Sequence, residues 1–266
     1  MKPWLALILS ALPALSGPIP PEALPDAMQG ADVIILGEVH DNPLHHVHQT
    51  QAVAALRPRA LVFEMLTAEQ AARITPALRA DPVGLEAALD WTASGWPDFA
   101  MYFPIFAAAP EAQVAGAALP RSQVRRAVSD GASAVFGPDA AAYGLDLPLD
   151  PADQAAREAL QHDAHCGKLP AALLPGMVEA QRLRDAALAR AAVAALEATG
   201  GPVVVITGTG HARRDQGVPA ALSLAAPGAR VLSVGQMEAD PGPDAPFDLW
   251  IVTEPHPRDD PCASLG

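Results

Sequence analysis

Five short runs in this chain are almost wholly apolar and rich in β-branched residues: VIIL at 33–36, ALVF at 60–63, VVVIT at 203–207, RVLSV at 230–234 and LWIV at 249–252. A strand with one wet face alternates apolar and polar side chains, and these runs do not. They predict strands covered on both faces. A weaker sixth run, QVAGAA, covers 113–118. Between the runs lie stretches with helical spacing, at 44–56, 67–79, 121–128, 151–162 and 170–199; the last opens at Pro170 and stops at Gly200 and Gly201, where glycine suits a helix end. Strands alternating with helices imply right-handed crossovers and parallel pairing. The expected fold is therefore α/β, a doubly wound, mostly parallel central sheet with helices on both faces.

Half of the 266 residues are hydrophobic and 18% are charged, enough apolar material for one large core and against global disorder. One domain is expected over 18–253. Within it, residues 80–110 (ADPVGLEAALDWTASGWPDFAMYFPIFAAAP) fit neither period cleanly and predict a helical or irregular cap insertion. The proline-rich segment 254–266 reads as a flexible tail unless Cys262 tethers it. A net charge of -13, with Lys2 and Lys168 the only lysines, argues against nucleic acid as a partner.

The first 17 residues, MKPWLALILSALPALSG, place one cation ahead of an apolar stretch that ends in small residues, the pattern of a cleavable signal peptide cut near Ser16 or Gly17. The stretch is shorter than the roughly 20 residues a membrane-spanning helix needs. No cysteine stands near it to carry a lipid. The expected location is periplasmic or secreted. In such a compartment Cys166 and Cys262, the two cysteines of the chain, could pair or remain thiols, and spacing does not choose between these outcomes.

The polar residues that could do chemistry fall just after the apolar runs. VIILGEVHDNP delivers Glu38 and His40 to the end of the first run, ALVFE delivers Glu64 to the end of the second, and VVVITGTGH delivers His211 to the end of a later one. Ligands of open α/β sheets bind outside the carboxyl ends of their strands. If these strands are parallel, the four side chains share one edge and converge. Two carboxylates and two imidazoles can ligate a divalent metal such as zinc, and they can equally form a metal-free acid–base site in which a carboxylate orients a histidine. Taken alone, a carboxylate at a strand end commonly caps a helix, and a single histidine is more often structural. His45, His46 and His48 follow on the next helix, where 45 and 48 share a face and 46 does not. HDAHCG at 162–167 supplies His162 and His165, three apart and within the repertoire of haem ligands. The GTG at 208–210 lacks the third glycine of a dinucleotide loop and reads as a tight turn that lets His211 reach the edge.

ILGEVHDNPLHHVHQ at 35–49, FEM at 63–65, SGWPDF at 94–99, ALPR at 118–121, MVEAQRLRDAALA at 177–189 and GTGHARRDQGVP at 208–219 together resemble the ChaN-like haem-binding uptake family. The resemblance spans roughly 30–235. It implies an α/β protein of the bacterial envelope involved in haem or iron uptake, with haem or another small molecule as partner, and a homodimer as one assembly open to it. The wider superfamily includes Tiki-type proteases and erythromycin-esterase-like hydrolases, which makes a metal-assisted or His/Glu-dependent hydrolase the alternative. In that wider group the Glu-x-His motif and the late histidine correspond here to Glu38, His40 and His211. For haem itself the candidates are His162 and His165 as ligands, Tyr102 with Trp96 and Phe99 as a flat apolar surface, and Arg121 toward the propionates. Gln181, Arg184 and Asp185 sit in family-like motifs and are expected to support the site.

Overall fold

The computed structural model describes residues 16–260 and 262–263; most of the leader, residues 1–15, lies outside them. Seven strands, β1 (Gly17–Pro18), β2 (Val33–Glu38), β3 (Ala60–Phe63), β4 (Gln113–Gly116), β5 (Val203–Gly208), β6 (Val231–Met237) and β7 (Leu249–Val252), form one sheet in the order β1-β7-β6-β2-β5-β3-β4. Every pairing is parallel. The apolar runs are continuous because successive side chains enter two different cores. On one face Ile34, Leu36, Leu61, Phe63, Val204 and Ile206 pack under the helices Pro43–Leu56 and Phe99–Ala108. On the other, Val33, Ile35, Val62, Val203 and Val205 pack under the long helix Leu174–Thr199 and the helix Val218–Ala225. Burying each such side chain stabilises the fold by about 1.5–3 kcal/mol before chain entropy is counted.

Local chemistry sets the element ends. Asn42 caps the Pro43–Leu56 helix by accepting from the Leu44 N–H at 3.0 Å, and Pro43 occupies its first turn, where no N–H is needed. The helix expected over 67–79 is shorter, Ala68–Ala72, because Pro76 blocks αR at Thr75; a 3₁₀ turn, Leu78–Ala80, follows. The 80–110 segment is largely helical, with Pro82–Ala88 and Phe99–Ala108, and it belongs to the body of the protein: the Phe106 ring stacks on Phe63 with centroids 4.3 Å apart. Two parts of it reach the strand ends: the turn at Ser94–Trp96 and the hydroxyl of Tyr102.

Two connections close the molecule at its extremities. Gly17 and Pro18 pair with β7, so the expected leader cut falls where the chain enters the sheet. The tail is fastened: Cys166 and Cys262 form a disulfide across 96 residues of sequence, and Arg258 pairs with both Asp41 and Glu238. Among the described residues no helix is long and apolar enough to cross a membrane. A cross-link over so long a loop restricts the unfolded chain, so Cys166→Ser/Cys262→Ser is expected to lower unfolding stability by about 2–4 kcal/mol in urea titration; an unchanged midpoint would contradict this.

Candidate functional site

The sheet register brings the predicted strand-end groups together. Glu38 ends β2 opposite Gly208 of β5, and Glu64, one residue past β3, donates its N–H to the Ile206 carbonyl of the same neighbour. His211 rides on a single helical turn, Thr209–Ala212, immediately after β5. Three adjacent strands thus deliver a carboxylate, a carboxylate and an imidazole to one edge. His40 bridges them, 2.8 Å from Glu38 through Nδ1 and 3.9 Å from Glu64 through Nε2.

Glu38 is buried and its oxygens are fully engaged. It accepts hydrogen bonds from His40 Nδ1 and the Tyr102 hydroxyl at 2.8 Å on one oxygen and from Gln49 Nε2 at 2.8 Å on the other. With its Nδ1–H committed, His40 turns Nε2 toward Gly208 and Glu64, and its ring packs against Trp96 with centroids 4.8 Å apart. Burial works against a charged His40, but the Glu38 hydrogen bond and the nearby Glu64 and Glu38 charges outweigh it and hold the pKa above the ordinary value.

The second half of the site is a buried charge pair. Glu64 accepts from the Thr207 hydroxyl and the Gly208 N–H, both at 2.8 Å, and faces His211 Nε2 at 3.4 Å. His211 Nδ1 donates to Asp185 at 2.6 Å. Burial alone would neutralise this imidazole; the Glu64 and Asp185 carboxylates reverse that and raise its pKa to about 10. Burial likewise opposes ionisation of Glu64, and His211, His40 and the Gly208 N–H overcome it, holding the carboxyl well below the usual range. Asp185 is raised by burial, so it is the weaker acid of the two. Gly208 is required by closeness: a Cβ there would stand 2.8 Å from His40 Nε2. The GTG segment therefore makes room for His40 as well as turning the chain toward His211.

Other sequence candidates fall elsewhere or take different roles. Tyr102 is completely buried with its hydroxyl on Glu38, so it supports the acid and offers no face to a haem. His162 is exposed, and His165 ends the helix Pro151–Ala164, with Nδ1 donating to the Gln161 carbonyl at 2.8 Å. Arg121 and Arg184 line a cavity of about 530 Å³ with Glu64 and Trp96. His45 accepts from the Val39 N–H at 2.8 Å and donates from Nε2 to Thr253, and burial lowers its pKa to about 4, the marks of a neutral structural histidine. Of the two readings of these four groups the divalent-metal one is not supported, because among the described residues no three His, Cys, Asp or Glu side chains group to hold an ion. A charged His211, bonded at both nitrogens, has no lone pair to give. Gln49 and Asp185 complete the site from helices; Gln49 closes the family-like motif at 35–49, but nothing in the sequence assigns it to Glu38.

A second cavity, of about 570 Å³, lies beside Asp185, Gln181 and Thr209. Leu160, Val178, Met237 and Phe247 line it, with Arg157 and Arg213 also in its wall.

A parallel doubly wound sheet with a carboxylate–imidazole array at the ends of β2, β3 and β5 defines the class of protein. The model of the haem-binding uptake family, ChaN, of the Tiki superfamily, matches residues 24–222, and the chain belongs to that family. Two solved structures share the fold. ChaN of Campylobacter jejuni, in a structure describing cofacial haem binding, is 18% identical, with 86% of this chain and 90% of that chain covered and a TM-score of 0.63. The type III effector HopBA1 is 14% identical, with 88% and 94% covered and a TM-score of 0.51. No curated protein matches the chain.

The pKa directions give a test. His211, raised when folded, contributes stability that is complete below its ordinary value of 6.5 and is lost as pH rises toward about 10; Glu64, depressed, contributes above its ordinary value of 4.5 and the contribution is lost as pH falls below it. In an NMR titration the His211 ring is expected to remain protonated well above pH 7 and to titrate lower in Asp185→Asn. A wild-type midpoint near 6.5 would contradict the pair.

Proposed function

We propose that this protein is an exported haem-binding protein that serves haem or iron uptake in the bacterial envelope. Membership of the haem-binding uptake family supports the reading, as do the leader-like N-terminus and a disulfide suited to an oxidising compartment. The observation that carries it within this chain is His165. Its Nδ1 donates to the Gln161 carbonyl, which fixes the tautomer and leaves Nε2 as a free lone pair, the arrangement that metal-ligating histidines use. Gln161 and Ala164, on the same helix end, line the cavity of about 570 Å³, a size in the ordinary range of ligand pockets.

Those residues suit a haem as cargo. Leu160, Val178, Met237 and Phe247 offer apolar contact, and Arg157 and Arg213, though each already holds an aspartate, keep further N–H groups for propionates. A bound haem would bring an iron able to take one nitrogen ligand. His162 takes no part, since its ring packs over Gly167 in the exposed turn.

A second reading, acid–base hydrolysis, is favoured by His40. Its Nδ1 is held by Glu38 and its ring lies on Trp96, in the wall of the cavity that contains Glu64, so Nε2 is free to exchange a proton with a water or substrate. Turnover of ester or amide substrates that disappears in His40→Ala would support this reading; no turnover above the buffer rate would remove it.

Titration of the purified protein with haem is expected to shift the Soret band and saturate at one equivalent. His165→Ala should weaken binding about tenfold or more, the scale at which loss of a metal's supporting groups is felt, whereas His162→Ala should bind as the wild type. Absence of any spectral change at micromolar haem would overturn the assignment.

A further inference from the structure

The cavity bounded by Glu64, Trp96, Arg121 and Arg184 is a separate volume from the one lined by Gln161 and Ala164, and two arginines reach it. The protein carries a net charge of -13, and eight of its arginines, at 73, 126, 157, 182, 213, 214, 230 and 258, pair with carboxylates. Arg121 and Arg184 form no ion pair among the described residues, although both reach the same cavity. They come from different elements, the first residue of the helix Arg121–Asp130 and the middle of the helix Leu174–Thr199, which pack together. The Arg121 guanidinium lies near the Ser94–Trp96 turn: a Cβ at Gly95 would lie 4.0 Å from its Nη2, and the φ of +84° at Gly95 is one that favours glycine.

Glu64, the carboxylate in this cavity, is committed to His211 and to the Thr207 and Gly208 donors and forms no ion pair with either arginine. What remains is a pair of uncompensated guanidiniums, an indole ring and, behind them, the acid–imidazole array. Guanidinium is the side chain best matched to a phosphate or carboxylate, which it binds through two parallel N–H bonds. Its five donors also allow two arginines to share one anionic group. An aromatic ring beside such a seat favours a ligand with a flat or apolar body.

We propose that this cavity binds a small ligand with an anionic head, a phosphate or carboxylate, seated on Arg121 and Arg184, with its body against Trp96 and directed toward Glu64 and His40. This holds whether or not the second cavity takes haem. It gives the acid–imidazole array a substrate class, small anionic esters or acids. It also separates that array's ligand from the cavity lined by Gln161 and Ala164.

Calorimetric titration with phenyl phosphate, benzoate and phenol tests it on the full mature chain. Phenyl phosphate and benzoate are expected to bind saturably, more weakly as salt is raised, and phenol not at all. Because both arginines are exposed, Arg121→Ala/Arg184→Ala should fold as the wild type, which a urea midpoint checks, and should bind phenyl phosphate about tenfold or more weakly. Should the double variant fail to fold, Arg184→Ala alone carries the same expectation with a smaller effect. Haem titration of the same variant locates the source of the anion. An unchanged Soret response places haem elsewhere, and a response lost together with phenyl phosphate binding makes a propionate the anion on the same seat; either supports the proposal. No saturable binding of either anion at millimolar concentration, or equal affinity in wild type and double variant, would overturn it.

Discussion

The contact between Glu64 and His211 is the point on which the strand-end site depends. Both groups are buried, and a carboxylate or an imidazolium moved from water into a protein interior alone costs several kcal/mol. Each is tolerable because the other is there, and because Thr207, Gly208 and Asp185 occupy their remaining hydrogen-bonding positions. The pair therefore fastens the end of β3, the turn after β5 and the middle of the Leu174–Thr199 helix to one another. It also fixes the charge that the neighbouring cavity presents to a ligand.

Glu38 makes the other half rigid by a different route. Its partners are neutral donors, Tyr102 and Gln49, together with His40, which its carboxylate orients. Each donor arrives from a different element: the helix Phe99–Ala108, the helix Pro43–Leu56 and the turn after β2. The aromatic segment that packs on Phe63 thus has a second task, since the ring stack that buries Phe106 sits on the same helix that holds the Tyr102 hydroxyl at Glu38. Packing and site geometry are set by the same helix.

Much of this was legible in the sequence. Strands buried on both faces write themselves as unbroken apolar runs, so β2, β3, β5, β6 and β7 stand out, and a parallel sheet places the residue after each run on one edge. Glu38, Glu64 and His211 follow from that single rule. β1 did not stand out, because Gly17 and Pro18 carry no strand pattern and pair only by proximity to β7. Tyr102 shows the same limit in the site, and Asp185, expected to support it from its motif, had no partner assigned by the sequence. Tyr102 is 64 residues from Glu38 and Asp185 is 26 from His211, so their roles arise from packing that no local pattern encodes. Aromatic neighbours make Tyr102 look like a haem contact, whereas tertiary structure puts its hydroxyl on a carboxylate. The tail, polar and proline-rich, gave no hint of Arg258 bridging Asp41 and Glu238.

The measurement that tests the central pair most directly is a double-mutant cycle on unfolding stability with Glu64→Gln, His211→Gln and the double variant. If each charge leans on the other, removing either alone leaves a buried ion without its facing partner and removing both relieves that loss. The account predicts strong non-additivity, with a coupling energy above about 1 kcal/mol near pH 6. Additive losses, with a coupling energy indistinguishable from zero, would contradict it.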